Sequence, residues 1–589
     1  MASQSPQVMD LTSLRAVLAD LRDRLLPSRF EKAQQPDPQT LQLGFRTLRG
    51  MIWLELSWKA EVPRLVEISA PPKQGAGSTL AQQIQHGLRQ LALTELCQEG
   101  FERVVQFQLA PRPGQPPQRT LVLELMGRHS NLLLLDDRQR ITAIARQVRT
   151  HQSRVRPIGT GDVYSSPPAL QGIAPRMDEP EQRWRERLEL LPLSLEKAMR
   201  SAYQGISPVL ARHLADEHDD AARARLATSV HELSEQEWKM LHQRWQCWLM
   251  ALKTDGFELH FDGPNSYRVW KPASAGTSAG ASAATSEGEL FADLSKRGQP
   301  LSLRLGEYYA TVLQRQELNR ATQDLQKQLK QLRTREEALL ADQRAGLEET
   351  GGADDLQQQG DALLCQVSPN RETLDRAQKL YGRARKLRRA VPALEERLQH
   401  HQSRLLLLEG SESFLEELIG ADWDGMEART KSLLDLREEL DDLLAPKRLR
   451  RRRRQGSRHV DPQPLEIRSP AGLLIQVGRN HRQNDWISLR RARPGDLWFH
   501  AQECPGSHVV LKASAGFADE EDLTLAADLA AWFSRARGNR RVAVVRAPVE
   551  HLQRIAGAAL GTVQHKEGEV VWAEPDRARQ RLIAGQLLA

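Results

Sequence analysis

The chain has 589 residues, 40% of them hydrophobic and 27% charged, with a formal net charge of +7. This length exceeds what one hydrophobic core organises and predicts several domains of ordinary soluble composition. No apolar run approaches the ~20 residues of a membrane-spanning helix, and the start, MASQSPQVMD, has no basic or apolar leader features, so a cytoplasmic protein away from membranes is expected.

Cys97, Cys247, Cys365 and Cys504 are scattered and form no C-x-x-C pair, which argues against a disulfide framework or a zinc ribbon. The charge excess points to a polyanionic partner chiefly through its clustering in KRLRRRRR, which contains Arg451, Arg452 and Arg453.

Taken in chain order, MDLTSLRAVLADLRDRLL sets Leu11, Leu14, Leu18, Leu21 and Leu25 at helical spacing and predicts an opening helix. Strand-like stretches follow: TLQLGFRTL, GMIWLELSW, RLVEIS, RVVQFQL, RTLVLELM, NLLLLDD and RITAIARQV, with one helical window at Leu80–Leu96. Short strands with hairpin-sized connections predict a mixed α+β domain over residues 1–175, built on a largely antiparallel sheet.

Residues 176–252 read as helical. There AYQGISPVLARHL is open to two readings, a helix-hairpin-helix turn that offers amides to phosphate, or a plain helix start capped by Ser207 with Pro208 in the first turn. Residues 253–300 hold strands and an Ala/Ser/Gly linker at 273–288.

Over residues 301–445, Leu318, Leu325, Leu332 and Leu339 recur every seven residues. Leu380, Leu387, Leu394, Leu398 and Leu405 follow beyond a break near LEETGGADDLQQQG. This pattern predicts an antiparallel coiled-coil hairpin, with a packed helical domain as the alternative. A basic linker at 446–460 leads to a final α+β domain at 461–580. It reads as strand, loop, strand, loop and hairpin, then an amphipathic helix at TLAADLAAWFSRARG and closing strands.

The stretch GDLWFHAQECPGSHVV raises a metal reading for His500, Cys504 and His508 and a thiol reading for Cys504. A hairpin pairing Gln502 with Ser507 would set His500 beside Val509 and turn His508 to the opposite face, and no fourth ligand is near. No catalytic set, metal or cofactor is therefore expected. Arg479, His481, Arg482, Arg490, Arg491 and Arg493 interleave with Trp486, Trp498, Phe499 and His500, which suits RNA phosphates and bases. A solvated charged face over a core tryptophan is the alternative.

These residues also carry a resemblance. VGRNHRQNDWISLRRARPGDLWFHAQECPGSHVVL resembles the C-terminal NFACT-R domain of the NFACT (RqcH/NEMF) family, also labelled fibronectin-binding protein A-like. ELMGRHSNLLLLDD, GISPVLARHL and AQKLYGRARKLRRA resemble its N-terminal, helix-hairpin-helix and coiled-coil signatures.

The resemblance implies a MutM-like N-terminal domain. It also implies a ribosome quality control factor, a monomer on large ribosomal subunits obstructed by peptidyl-tRNA. That factor recruits charged tRNA, mainly alanyl-tRNA in bacteria, for mRNA-independent C-terminal tailing, while the ribosome performs peptidyl transfer. It implies tRNA-binding roles for Asp10, Glu102 (where the family has Asp), Arg103, Arg128, His129 and Asn131; a surface ion pair with Glu102 or another acid is the alternative for Arg103, and a structural turn for Arg128, His129 and Asn131. It implies RNA-binding roles for Arg479, Asn480, Asn484, Asp485, Trp498, His500, Ser507 and His508, to which the basic and aromatic interleaving adds Arg482; Gly506 serves the turn, and capping or fixing the loop is the other role open to Asp485. A fibronectin-binding adhesin and a MutM-like DNA-binding protein are the competing expectations. The start Met-Ala-Ser, lacking the catalytic proline, and the missing zinc cysteines disfavour base excision.

Overall fold

The computed structural model describes residues 6–168, 170–216, 218–263, 265–272, 298–365, 371–444, 461–555 and 560–585. The 273–288 linker and the run containing Arg451, Arg452 and Arg453 lie outside these residues. The chain forms two compact units, Met1–Leu313 and Gln314–Ala589, and is a multidomain α+β protein with antiparallel sheets.

In the first unit, helix α1 (Leu11–Leu25) starts where the Asp10 carboxylate accepts the Ser13 N–H at 2.8 Å. Leu14, Leu18, Leu21 and Leu25 are fully buried, each such side chain stabilising by roughly 1.5–3 kcal/mol. They pack on a sheet formed by β1 (Ser28–Asp37), β2 (Thr40–Thr47), β3 (Gly50–Ser57), β4 (Arg64–Ile68), β5 (Ala92–Cys97), β6 (Val104–Ala110), β7 (Arg119–Glu124), β8 (Asn131–Leu135) and β9 (Ile141–Ile144). The spatial order is β4-β3-β2-β1-β5-β6-β7-β8-β9, with every neighbouring pair antiparallel.

All seven expected strands are present, and two more join them. The helical window splits into α2 (Thr79–Gly87) and strand β5. A register irregularity between Leu93 and Glu95 puts the buried Leu93 and Leu96 three apart, a spacing that mimics a helix. Strand β1 is similarly irregular between Phe30 and Lys32, which blurs its alternation. The unbroken run in β8 has a different cause, since both faces are covered. Leu132 and Leu134 face the main core, while Leu133 and Leu135 meet Val122, Ile141 and Ile158.

Helices α3 (Glu181–Leu188), α4 (Leu195–Ala202), α5 (Pro208–Ala215), α6 (Asp219–Ala227) and α7 (Glu235–Thr254) follow. They enclose Trp184, Trp238, Trp245 and Trp248, each at most 1% exposed. A hairpin, β10 (His260–Gly263) and β11 (Ser266–Arg268), precedes the long helix α8 (Leu301–Thr350). The first turns of α8 lie against β4, where a Cβ on Gly306 would stand 1.9 Å from the Glu67 carbonyl oxygen.

In the second unit, α8 continues into α9 (Ala353–Leu364), α10 (Arg371–Gly420) and α11 (Met426–Leu444). The α8–α9 run and α10 are antiparallel. Arg333 meets Glu412 at 2.7 Å, Glu336 meets His401 at 2.7 Å and Asp354 meets Arg388 at 2.6 Å. The expected break is only an interruption at Gly351-Gly352, and helix resumes to Leu364.

Leu318 and Leu325 are buried with Leu408, Leu415 and Leu418, and Leu332 packs at the margin. Further along, the buried position moves from Leu339 to Leu340, as a 3.6-residue helix drifts off a strict seven-residue repeat. Leu380, Leu387, Leu394, Leu398 and Leu405 are half-buried.

The C-terminal sheet contains β12 (Leu465–Arg468), β13 (Leu474–Val477), β14 (Leu497–Ala501), β15 (Val509–Leu511), β16 (Val542–Pro548) and β19 (Glu569–Ala573). A small hairpin, β17 (Leu552–Arg554) and β18 (Val563–His565), lies beside it in sequence. Its order is β12-β13-β15-β14-β16-β19, again all antiparallel. Helices α13 (Glu520–Trp532) and α14 (Pro575–Ile583) cover one face, and α12 (His481–Leu489) covers the other.

Helix α12 replaces an expected loop. Asn480 caps it by accepting the Gln483 N–H at 2.8 Å, and most of its buried residues are polar, so no apolar stripe announces it. The hairpin register also differs from expectation. Phe499, not His500, pairs with Val509, which puts His500 and His508 on the same face.

Candidate nucleic-acid interface

One end of the nine-stranded sheet gathers residues that are far apart in sequence. Arg103 precedes β6, and its carbonyl accepts the Leu125 N–H just beyond β7 at 2.9 Å. The short turn Gly127–His129 and Asn131 then lead into β8. Asp10 reaches the same neighbourhood from the start of α1, because the Arg103 guanidinium donates to the Met9 carbonyl at 3.5 Å. The α5 cap adds Ser207, whose hydroxyl donates to Asp10 at 3.3 Å while accepting the Leu210 N–H at 2.9 Å. Neither the helix-hairpin-helix reading of this turn nor the helix-cap reading of Ser207 contains its contact with Asp10, which is tertiary and has no local signal.

The six expected tRNA-binding residues play unequal parts here. Asp10 is 4% exposed and spends its carboxylate on Ser13 and Ser207. Arg103 is mostly enclosed, and burial pulls its pKa below the ordinary arginine value, opposed by Asp10 and Glu102. Among the described residues its side chain makes only the Met9 hydrogen bond, so most of its N–H groups have no protein acceptor.

Glu102 is turned to the Leu170 N–H at 3.1 Å. Asn131 is internal, accepting the N–H groups of Leu132 and Arg146 and donating to the Arg146 carbonyl at 2.9 Å. Arg128 and His129 are exposed beside one another, 3.1 Å apart. A half-buried cation with donors to spare, next to exposed basic groups, is an anion-binding arrangement.

In the second unit the expected RNA-binding residues are mainly internal. Arg479 is 7% exposed and is clamped by Glu417 at 3.1 Å and Asp424 at 2.5 Å, with its guanidinium over the Trp423 ring. Burial disfavours its charge, but the two carboxylates more than offset this and raise its pKa. His481 sits in a notch at Gly410 and donates to the Leu407 carbonyl at 3.0 Å. The Glu439 carboxylate accepts the His481 and Arg482 N–H groups, and Arg482 pairs with Asp442. These signature residues fasten α12 to α10 and α11.

The others hold the hairpin. Asn480 caps α12, and Asn484 donates to the Gly506 carbonyl at 3.2 Å and accepts the His508 N–H at 3.0 Å. Asp485 anchors Arg554, and the Ser507 N–H donates to the Phe533 carbonyl at 2.9 Å. Gly506 is required by close approach, since a Cβ would meet Ser534 at 2.8 Å; the left-handed turn residue is Glu503, at φ 52°.

Trp498 is 3% exposed and stacks on His500 at 5.6 Å, with His508 edge-on to both. Burial pulls the pKa of His481 and His500 down to about 4 and that of His508 well below its usual value. These rings are therefore neutral at pH 7. Arg490, Arg491 and Arg493 are exposed nearby; Arg490 lies 3.9 Å from Asp485, which also binds the exposed Arg554, and Arg491 lies over Trp486. Among the described residues, no three His, Cys, Asp or Glu side chains converge on a metal position, and no helix is long and apolar enough to cross a membrane.

Fold and site together define a multidomain α+β protein with a half-buried, sparsely paired arginine at one strand end and an internally braced C-terminal domain. The family model described as NFACT N-terminal and middle domains matches residues 10–369, more than half of the chain, and the chain belongs to this family. It is similar to "Rqc2 homolog RqcH" of Streptococcus pneumoniae, 27% identical over 96% of this chain and 97% of that protein. The protein of the same name from Bacillus subtilis is 24% identical over 82% of this chain and 83% of its own length. A solved structure of the C-terminal part of the fibronectin/fibrinogen-binding protein from Streptococcus suis aligns with 45% of this chain and 98% of its own, at 27% identity and a TM-score of 0.36.

Proposed function

We propose that this chain is a cytoplasmic ribosome-associated quality control factor. It binds, as a monomer, large ribosomal subunits obstructed by peptidyl-tRNA and recruits charged tRNA, with alanyl-tRNA as the favoured species. The stalled chain is then extended at its C-terminus without mRNA. The protein positions tRNA, and the ribosome makes the peptide bond, so no residue of this chain is assigned a catalytic role. In this reading residues 1–175 are a MutM-like N-terminal domain, 176–252 a helix-hairpin-helix domain, 301–445 a coiled-coil arm and 461–580 an RNA-binding NFACT-R domain. The relatives named Rqc2 homolog RqcH, similar over 96% and 82% of this chain, support the ribosome quality control part of this reading.

The observation that carries it is Arg103. A cation held in a largely desolvated position with uncommitted N–H groups suits a phosphate, which it would bind through paired, charge-assisted hydrogen bonds. Asp10 and Glu102 hold that charge in place, and Arg128 and His129 continue the basic edge. In the C-terminal domain the RNA contacts fall to Arg490, Arg491 and Arg493, with Arg479, Trp498 and His508 bracing the platform.

A charge-assisted hydrogen bond contributes about 1.5–3 kcal/mol. Arg103→Ala should therefore weaken charged-tRNA binding by about 10- to 100-fold and suppress tailing on obstructed subunits. Tailing at the wild-type rate would remove Arg103 from the site. Absence of tRNA and large-subunit RNA from the purified wild-type protein would sink the whole reading.

A further inference from the structure

Between Asp137 and Asp162 lie six arginines, one histidine and no acidic residue. Part of this run serves the fold. Arg156 binds the Glu124 carboxylate through both terminal nitrogens, at 3.0 and 2.6 Å, and also donates to the Ser165 carbonyl. Val148 and Ile158 exchange two backbone hydrogen bonds of 2.9 Å, which close residues 149–157 into a loop. Beneath it Ile158, Val148 and Tyr164 pack on the outer face of β7–β9. The loop is shaped further by Gln152, which accepts the Arg149 N–H at 3.0 Å, and by Ser153, which accepts the Arg156 N–H at 3.2 Å.

The remaining cations face solvent. Arg146, Arg149 and Arg154 are exposed, and among the described residues none forms an ion pair with a carboxylate. Arg146 donates to the Arg128 carbonyl at 2.7 Å, which joins it to the exposed Arg128–His129 turn. The Asn131 side chain fixes the Arg146 backbone from below. The loop thus lies at the same strand ends as Arg103. Strands β6 to β9 are three steps apart, about 14 Å at ~4.8 Å per step.

We propose that Arg146, Arg149 and Arg154 form a second phosphate-binding surface, which grips the backbone of the same tRNA whose other contact is Arg103. This inference rests on the tRNA reading above. The chemistry favours RNA backbone because the cations are carried on and beside a folded loop closed by Val148 and Ile158, are exposed together, and have no carboxylate partner among the described residues. Their contribution is sequence-independent and salt-dependent, because each phosphate contact releases condensed counterions.

The test is tRNA binding by the full chain across a series of salt concentrations, comparing wild type, Arg149→Gln/Arg154→Gln and Arg103→Ala. The double variant should lower the slope of log affinity against log salt by roughly 1.4–1.8, the loss of two contacts. Exposed arginines of this kind carry little stability, and an unchanged melting temperature checks that the variant is folded. An unchanged slope in the folded double variant, with Arg103→Ala still weakened, overturns this surface alone. Failure of the wild type to bind tRNA overturns the parent reading and this surface with it. Lost binding to anionic phospholipid vesicles, with tRNA binding untouched, would also overturn it.

Discussion

Gly306 and Gly410 lack a side chain because another group occupies its place. At Gly306 an added Cβ would stand 1.9 Å from the Glu67 carbonyl oxygen, well inside van der Waals contact, and backbone on both sides leaves nothing flexible to yield. Next to it, Ser302 donates to Glu67 at 2.9 Å and Arg24 bridges Asp20 and Glu67, so the start of α8 cannot shift without breaking this buried network. Gly306→Ala should thus behave as severe overpacking and cost at least 1–3 kcal/mol. At about 2–4 °C per kcal/mol for a unit of this size, the melting transition of the first unit should fall by several degrees. A variant that melts with the wild type would show that α8 is not seated on β4 as described. Nothing in the chain's local pattern marks Gly306, because its constraint comes from a strand more than 200 residues away.

At the level of elements, α11 meets the start of α12 through Glu439, which is 1% exposed. Its carboxylate accepts the N–H groups of His481 and Arg482 at 3.1 and 2.5 Å. Burial pushes its pKa from 4.5 up to about 7, against the opposing pull of those N–H groups and the Arg482 cation. Between pH 4.5 and 7 the folded chain therefore keeps a proton that the unfolded chain has released. Stability from this group falls as pH rises through that window, by roughly 3 kcal/mol in all. Glu439→Gln keeps an acceptor and removes the titration. Its stability relative to wild type should rise from pH 4.5 to 8, as measured by denaturant unfolding at each pH. His481 and His500, whose pKa values lie near 4 in the fold, titrate in both proteins and cancel in that difference. A difference that is flat with pH would refute the buried, proton-holding Glu439. The same joint shows what pattern reading can and cannot recover. The Asn480 cap and its Gln483 partner were visible as residue types, but α12 buries His481, Asn484 and Asp485 instead of an apolar stripe, so hydrophobic periodicity missed it. The basic and aromatic composition of the signature was equally visible. Whether Arg479 faces solvent or Glu417 was not, because its partners Glu417 and Asp424 come from the end of α10 and the turn after it, about 60 residues earlier.

For the whole molecule, the chain's α+β character, its long helices and its two large sheets were legible because β2 and β6 alternate, β3, β4 and β7–β9 are short apolar runs bounded by turn residues, and the heptad leucines recur. Their grouping into two compact units was not legible, because α8 runs through the division at Leu313 without any change in helical pattern. Each unit has its own apolar core. The first centres on the sheet and on Trp184, Trp245 and Trp248, and the second on Phe499, Val544 and Leu529 beside the leucine seam of the long helices. Trp245 is 1% exposed and lies 5.0 Å from Trp248 and 4.7 Å from Tyr203, ring to ring, while Phe499 is fully buried against α13. Truncating either to alanine should cost about 3–5 kcal/mol, but each cost falls on a different core. Calorimetric unfolding should therefore show separable transitions, with Trp245→Ala lowering one and Phe499→Ala lowering the other. If both variants displaced one common transition by the same amount, the chain would unfold as a single cooperative body and the two-core description would fail.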